Sequence, residues 1–186
     1  RVEITGIAAG GDGVGRTEGM VVFTPRSAPG DVAKVRLARS KRFARGELVS
    51  LDVPSPDRVE PPCPHYTVDR CGGCQLQHLD DAAQRDARRS FVGEALRRMA
   101  RREVPDPPIV PAAREYEYRT KITLAVSDDG RRIGLHRYDR ADEVFDLEWC
   151  HITVPELMAL WRALGAVRRL LPPRLESAVL RLDRQG

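Results

Sequence analysis

Long apolar runs are missing from this sequence of 186 residues. A helix that crosses a membrane needs roughly 20 predominantly apolar residues, and no stretch approaches that length. No signal peptide is visible, and the sequence contains no internal repeat and no low-complexity tract. We therefore expect a cytoplasmic protein that does not enter a membrane.

Neither sign of charge dominates, since 31 lysines and arginines stand against 27 aspartates and glutamates. The formal net charge is +4 and the isoelectric point is near 9.1, values that are compatible with a polyanionic partner but do not prove one. Hydrophobic residues make up 41% of the chain, which is enough for a buried core. A chain of this length forms one or two small domains.

The first 53 residues have the pattern of short strands joined by turns. Strands are predicted at residues 2–7 and 19–24, with a glycine-rich turn at 10–13 between them. Residues 33–37 alternate between apolar and basic side chains, as in a half-buried strand with a basic outer face, and 49–53 repeat the apolar alternation. Several short strands at this spacing, without a helical period, predict a small β-barrel.

The glycines of the segment Gly11-Asp12-Gly13-Val14-Gly15 resemble those of a nucleotide-binding loop. Such a loop lies between a strand and a helix, because the N-terminus of the helix binds the phosphate. A strand is predicted to follow here, so the segment is interpreted as a turn without a cofactor.

A proline-rich segment and a helix follow the predicted barrel. Four prolines between residues 54 and 62 predict a linker. Asp80 and Asp81 are candidate caps for a helix whose apolar residues recur every four positions over 83–99. Pro105 to Pro111 ends this helix.

The second half of the chain combines strand and helix patterns. A hairpin is predicted around the Asp-Asp-Gly turn at 128–130, with further strands at 143–149 and 175–182. Thr153 and Glu156 fit a capping box at the start of another helix. The chain stops shortly after the last strand, so we expect it to be part of a larger protein. The predicted fold class is α+β.

Three of the four cysteines are crowded together, at Cys63, Cys71 and Cys74, and Cys150 lies far downstream. Four thiolates can complete a tetrahedral zinc site or bind a four-iron cluster. Structural zinc sites usually contain two close pairs of ligands, and the grouping here is one, two and one. Two disulfides or free thiols also fit this spacing, so the cysteines alone leave all of these alternatives open.

The residues around the cysteines suit a compact site. Gly72 and Gly73 permit a tight turn between two of the cysteines and leave backbone N–H groups that can donate to sulfur. His65, His78 and His151 lie near cysteines in the sequence. Because four cysteines already suffice for a site, these histidines are predicted to be surface or packing residues.

Cationic residues are concentrated near the end of the predicted barrel, where six lie within twelve residues and Phe43 stands among them. They are Lys34, Arg36, Arg39, Lys41, Arg42 and Arg45. A basic face with an aromatic residue on a β-barrel is typical of a nucleic-acid surface, whose binding weakens with salt. The alternative is a solvated charged face.

A second basic segment contains Arg119 and Lys121, at the start of the predicted hairpin. These two residues are further candidates for contact with RNA. The alternative is an ordinary edge strand with exposed charges.

Together these segments resemble a known family, the RNA (uracil-5-)-methyltransferases that carry an N-terminal TRAM domain. Residues 2–53 are similar to that TRAM domain, an RNA-binding barrel like the OB-fold. The similarity is carried by Gly10-Gly11-Asp12-Gly13-Val14, by Gly19-Met20-Val21-Val22-Phe23 and by Pro29-Gly30-Asp31-Val32.

The cysteine motifs carry the rest of the resemblance. Three segments resemble the family's iron–sulfur ligand motif: Cys63-Pro64-His65-Tyr66, Cys71-Gly72-Gly73-Cys74-Gln75-Leu76-Gln77-His78 and Cys150. Tyr118-Arg119-Thr120-Lys121 resembles a family motif, Tyr-Arg-Asn-Lys, that faces RNA. Two departures are the seven residues between Cys63 and Cys71, more than in the best-known members, and Thr120 in the place of asparagine.

The resemblance implies a domain organisation and a cofactor. Residues 1–54 would be the TRAM barrel, and residues 55–186 would be an incomplete central domain with the iron–sulfur segment. The implied ligands of a four-iron, four-sulfur cluster are Cys63, Cys71, Cys74 and Cys150. The implied partner is ribosomal or transfer RNA, bound by a monomer.

The resemblance also implies a reaction. In the family, a cysteine thiolate adds to C6 of uracil, C5 takes a methyl group from S-adenosylmethionine, and a carboxylate removes the C5 proton. All four cysteines here are assigned to the cluster, so we expect that this chain lacks the catalytic domain and the S-adenosylmethionine site. The alternative is a non-catalytic RNA-binding module with a structural zinc or iron–sulfur site.

Overall fold

Strands near the N-terminus form a closed barrel in the computed structural model, which describes residues 1–172 and 174–183. The barrel strands are β1 Val2–Ile7, β2 Gly13–Thr17, β3 Met20–Thr24, β4 Val32–Arg39 and β5 Phe43–Val53. They follow the order β1-β2-β3-β5-β4, and the pairing of β4 with β1 closes the barrel. Strands β3 and β5 pair in parallel, whereas the other neighbours are antiparallel. The predicted barrel is confirmed.

Apolar side chains fill the barrel. Its core residues, at most 2% exposed, are Val2, Ile4, Val22 and Ala44. Along β4, Ala33 is fully buried whereas Lys34 and Arg36 are exposed. The predicted alternation with a basic outer face is therefore confirmed.

Strand β2 lies where the glycine pattern predicts a turn. That interpretation is correct for Gly11, whose φ is 90°, and wrong for Gly13 and Gly15. A Cβ at Gly13 would lie 2.0 Å from Ser27 Oγ, and a Cβ at Gly15 would lie 2.3 Å from the Glu3 carbonyl oxygen. These two glycines permit close packing inside the barrel, a use that sequence alone does not separate from a turn.

The segment 54–62, which is predicted to be a linker, is attached to the barrel. Ser55 is only 4% exposed, and its backbone N–H donates to Asp31 at 2.8 Å. Arg58 forms an isolated β-bridge with Leu79, which lies beyond the cysteine motif.

Two helices follow, the single turn α1 at Pro64–Thr67 and the longer α2 at Asp81–Arg98. Asp80 is the N-cap of α2, as predicted, and accepts a hydrogen bond from the Ala83 N–H at 2.7 Å. The predicted apolar stripe is correct near Ala83 and wrong at Met99, which is 85% exposed. A spacing of four residues rotates by about 40° per repeat around an α-helix, so the stripe drifts away from the core.

A second sheet contains the later strands, in the order β8-β7-β6-β9 within the described residues. These strands are β6 Lys121–Val126, β7 Ile133–His136, β8 Val144–Asp146 and β9 Ser177–Arg181. The predicted hairpin is confirmed as β6 and β7, with Gly130 at φ 69° in its turn. Leu124 and Phe145 of this sheet pack with Met158 in one apolar core.

Helix α3, Pro155–Ala166, follows β8 but lacks the predicted capping box. Its N-cap is Val154, with no side-chain cap, and Pro155 takes the first position, where a missing N–H costs nothing. Thr153 is fully buried instead. Among the helices of the described residues, none has the length and apolar character that a membrane span requires.

The chain divides into two compact units. The barrel unit comprises Arg1–Pro62 and Gln75–Pro111, and the sheet unit comprises Cys63–Cys74 and Ala112–Gly186. These units do not coincide with the predicted domains 1–54 and 55–186, because residues 55–62 and 75–111, which include α2, group with the barrel.

Candidate metal centre and nucleic-acid interface

All four cysteines lie in the sheet unit. Cys63 directly precedes α1, Cys71 forms a β-bridge with Arg137 just after β7, and Cys150 lies between β8 and α3. Cys63, Cys71 and Cys150 are 8%, 8% and 9% exposed, and Cys74 is half-buried. Each of the four is a free thiol, so the alternative of two disulfides is wrong.

The four thiols are close enough to influence one another electrostatically. Burial raises the pKa of the Cys71 thiol to about 11. A hydrogen bond from the Gly73 N–H at 3.3 Å acts in the opposite direction but is the smaller effect. Negative charge on any of the other three cysteines raises this pKa further. Burial also raises the pKa of Cys63, and charge on Cys150 adds to the effect. A cation among them would reverse these shifts, because it stabilises the thiolates.

Backbone N–H groups surround the Cys63 sulfur. Those of Tyr66, His65 and His151 lower the pKa of Cys63, against the larger effect of burial. Because His151 directly follows Cys150, this contact brings the two distant cysteine segments together. Hydrogen bonds from backbone N–H groups stabilise thiolate sulfur and tune iron–sulfur clusters.

Gly72 and Gly73 lie between two cysteines, but neither has a positive φ. The Gly72 N–H donates to the His136 carbonyl at 2.9 Å, and a Cβ at Gly72 would lie 3.2 Å from that oxygen. Close packing against the end of β7 is thus the reason for glycine here, where sequence reasoning predicted a tight turn. The contact attaches the Cys71 segment to the sheet.

The four thiols are not arranged as a metal site within the described residues. Across residues 1–172 and 174–183, no three cysteine, histidine or carboxylate side chains lie close enough together to be one. Negative charge on each of the other three cysteines nevertheless raises the pKa of the Cys71 thiol. Four thiols with backbone N–H donors fit a tetrahedral zinc ion or an iron–sulfur cluster, so the four cysteines stay the candidate ligands.

The histidines near the cysteines prove to be packing residues, one of the two predicted roles. His65 is 7% exposed and stacks on Phe145 with ring centroids 5.2 Å apart. His78 lies in the barrel unit, and burial lowers its pKa to about 4. His151 is half-buried, edge-on to Tyr116.

Most cations on the basic barrel face form ion pairs. The pairs are Lys34–Asp52 at 3.4 Å, Arg36–Glu47 at 2.6 Å, Arg39–Glu18 at 2.6 Å and Arg45–Asp12 at 3.6 Å. Lys41 and Arg42, between β4 and β5, are exposed and have no ion-pair partner within the described residues. Phe43 is half-buried and packs edge-to-face on Phe23 at 5.7 Å. The two unpaired cations are therefore the members of the predicted set that are most available to phosphate.

The second basic segment lies in the sheet unit. Arg119 is half-buried; its carbonyl accepts from the Val154 N–H at 3.1 Å. Lys121 begins β6 and is exposed opposite Arg181 of β9. Sequence reasoning missed Arg181 as a basic neighbour, because only strand pairing brings it beside Lys121.

Comparison with known proteins identifies the barrel, since the TRAM domain family matches residues 1–49. The 23S rRNA (uracil(1939)-C(5))-methyltransferase RlmD of Pectobacterium carotovorum is 36% identical over 167 residues, which are 88% of this chain and 36% of the relative. An uncharacterized RNA methyltransferase of Protochlamydia amoebophila is 42% identical over 123 residues, which are 66% of this chain and 28% of the relative.

A solved structure has a similar fold over most of the chain. It is the crystal structure of Pyrococcus abyssi tRNA (uracil-54, C5)-methyltransferase in complex with S-adenosyl-L-homocysteine. The TM-score is 0.63 and the identity 25%, over 89% of this chain and 36% of that chain. This chain thus spans little more than a third of the length of such relatives. The comparisons give no support to the expectation that a catalytic domain is absent, and that expectation stays a prediction. The resemblance inferred from the sequence is confirmed: the chain contains a TRAM domain and is similar, over most of its length, to part of RNA (uracil-C5) methyltransferases.

Proposed function

We propose that this chain provides the RNA-binding and cluster-binding part of a methyltransferase that acts on C5 of a uridine in ribosomal or transfer RNA. The observation that carries the proposal is the extent of the similarity. The similarity to the Pectobacterium enzyme covers 88% of the chain, and the similarity to the Pyrococcus structure covers 89%. Both compact units therefore take part in the similarity. The proposed methyl donor is S-adenosylmethionine, because the Pyrococcus enzyme binds the product that remains after this donor loses its methyl group.

The proposed metal group is a four-iron, four-sulfur cluster. Its ligands would be the sulfurs of Cys63, Cys71, Cys74 and Cys150. Their shared electrostatic neighbourhood, the absence of disulfides and the N–H groups around the Cys63 sulfur all support this assignment. When bound, the cluster supplies a rigid cross-link, and the chain's own part is to hold four thiolates and exclude water around them.

The proposed role of the barrel unit is to bind the RNA backbone. Lys41 and Arg42 are the first contacts, because no carboxylate competes with phosphate for them among the described residues. Lys34 and Arg36 can contribute once phosphate replaces Asp52 and Glu47, since exposed ion pairs are worth about 1 kcal/mol or less.

Fluorescence anisotropy with a short labelled single-stranded RNA tests the RNA part of the proposal. Each phosphate neutralised on single-stranded RNA adds about 0.7 to the slope of log affinity against log salt. We expect a steep loss of affinity with salt. Binding that is insensitive to salt would contradict an interface made of lysine and arginine.

Two double variants test whether RNA affinity depends on the position of the cations or only on the net charge of the protein. Lys41→Gln with Arg42→Gln and Lys34→Gln with Arg36→Gln remove the same number of positive charges. We expect the first to reduce the salt slope by roughly 1.4 and the second to reduce it less, because its cations start in ion pairs. Equal losses would show that only net charge matters and would remove the β4–β5 tip from the proposal.

A further inference from the structure

His65 contacts two of the three cysteines of its own segment, Cys63 and Cys71, through its backbone. Its N–H points at the Cys63 sulfur, and its carbonyl accepts a hydrogen bond from the Cys71 N–H at 2.9 Å. The conformation of this one residue therefore affects where two of the candidate ligands lie.

The ring of His65 reaches the distant segment that carries Cys150. Its Nε2 accepts hydrogen bonds from the backbone N–H groups of Glu148 at 3.3 Å and Trp149 at 3.5 Å. These are the two residues that directly precede Cys150. The ring is also stacked on Phe145 and nearly excluded from solvent, so few other rotamers are open to it.

The donors around the ring fix its tautomer. A backbone N–H can only donate, so Nε2 is the unprotonated nitrogen and the proton lies on Nδ1. That proton is donated to Asp69, whose Oδ2 is 2.6 Å from Nδ1. With both nitrogens engaged, His65 is not available as a ligand, and Asp69 orients it.

We infer that His65, oriented by Asp69, is a positioning residue that holds the Cys150 segment against the segment Cys63–Cys74. The inference rests on the proposed cluster and extends it to a residue that does not touch iron. Groups that orient ligands typically change metal affinity by about 10- to 100-fold when they are removed.

Two amide variants separate the two ring nitrogens. In His65→Gln, the side-chain oxygen reaches the position of Nε2 and can still accept from the Glu148 and Trp149 N–H groups. In His65→Asn, the shorter amide can replace only Nδ1 toward Asp69. The two substitutions have similar polarity and differ in whether the bond to the Cys150 segment survives.

The experiment measures iron release to a chelator from the full chain, together with hydrogen exchange of the Glu148 and Trp149 amides. We expect His65→Asn to release iron about tenfold faster than wild type and His65→Gln to remain within about twofold. Exchange at the two amides should accelerate in His65→Asn, while exchange in strands β1 to β5 stays unchanged and shows that the variant is folded. Equal iron release from the two variants, whether slow or fast, overturns the inference.

A wild-type chain without iron or sulfide would contradict the proposed function rather than the positioning role. Amide exchange then decides the inference alone. Faster exchange of Glu148 and Trp149 in His65→Asn than in His65→Gln supports it, and equal exchange overturns it.

Discussion

Arg58 donates two hydrogen bonds to the carboxylate of Asp31, from Nε at 2.8 Å and from Nη2 at 2.6 Å. Asp31 is fully buried and also accepts from the N–H groups of Ala28 at 2.6 Å and Ser55 at 2.8 Å. Burial acts to raise the pKa of Asp31, but these hydrogen bonds outweigh it and the net direction is downward. The carboxylate therefore stays charged and joins the segment after the barrel to the loop before β4.

Replacing Arg58 by methionine should destabilise the barrel unit strongly. The substitution leaves a charged carboxylate buried without its cation, at a cost of about 3 kcal/mol. The free energy of unfolding is measured by urea denaturation followed by circular dichroism. Arg36→Met is the matched control, because the side chain of Arg36 is 72% exposed in its pair with Glu47 and its loss should cost about 1 kcal/mol or less. Similar losses in the two variants would show that the buried pair has no special role.

The stability of the barrel unit should fall as the pH falls from 6.5 to about 4. Burial lowers the pKa of His78 to about 4 from its usual 6.5, and its Nε2–H donates to the Ser27 carbonyl at 3.3 Å. Between these two pH values the unfolded chain binds a proton that the folded chain does not, so acid favours unfolding by up to about 3 kcal/mol. Urea denaturation at several pH values in this window measures the slope.

The variant His78→Gln is the control for this pH dependence. Its amide can still donate to the Ser27 carbonyl but does not titrate. The slope should therefore be smaller in His78→Gln than in wild type. Identical pH profiles would assign the acid sensitivity to other groups.

Adjacent glycines in the first turn should respond very differently to alanine. Gly11 has φ 90°, and a Cβ there would lie 2.5 Å from the Cβ of Gln75, whereas a Cβ at Gly10 would meet nothing within 4 Å. We expect Gly11→Ala to cost about 2–3 kcal/mol of unfolding free energy and Gly10→Ala less than about 1 kcal/mol. Both are measured by urea denaturation, and equal losses would mean that the contact with Gln75 does not constrain the turn.

Sequence patterns correctly predicted the strands and helix caps that depend only on residues close together in the chain. The alternation around Ala33 gives β4, and the aspartate at position 80 caps α2 because the cap needs only its own turn. Helix α3 shows where competing local signals mislead, since Pro155 displaces the capping box expected from Thr153.

Contacts between residues far apart in the chain explain most of the features that could not be predicted from the sequence. Lys41 differs from Lys34 only because Asp52, far along the chain, lies beside the latter. In the same way, the role of His65 depends on backbone N–H groups of Glu148 and Trp149, which no sequence pattern connects to it. The candidate ligands were predictable from the cysteine motif, whereas the contacts that orient them were not.

The metal and sulfide content of the anaerobically purified protein is the decisive measurement for the cysteine centre. We predict a brown protein with iron and acid-labile sulfide in equal amounts, about four of each per chain. The variant Cys150→Ser, which changes the ligand most distant in sequence, should lose most of both. A colourless wild-type protein with stoichiometric zinc and no sulfide would contradict the assignment of an iron–sulfur cluster to these four cysteines.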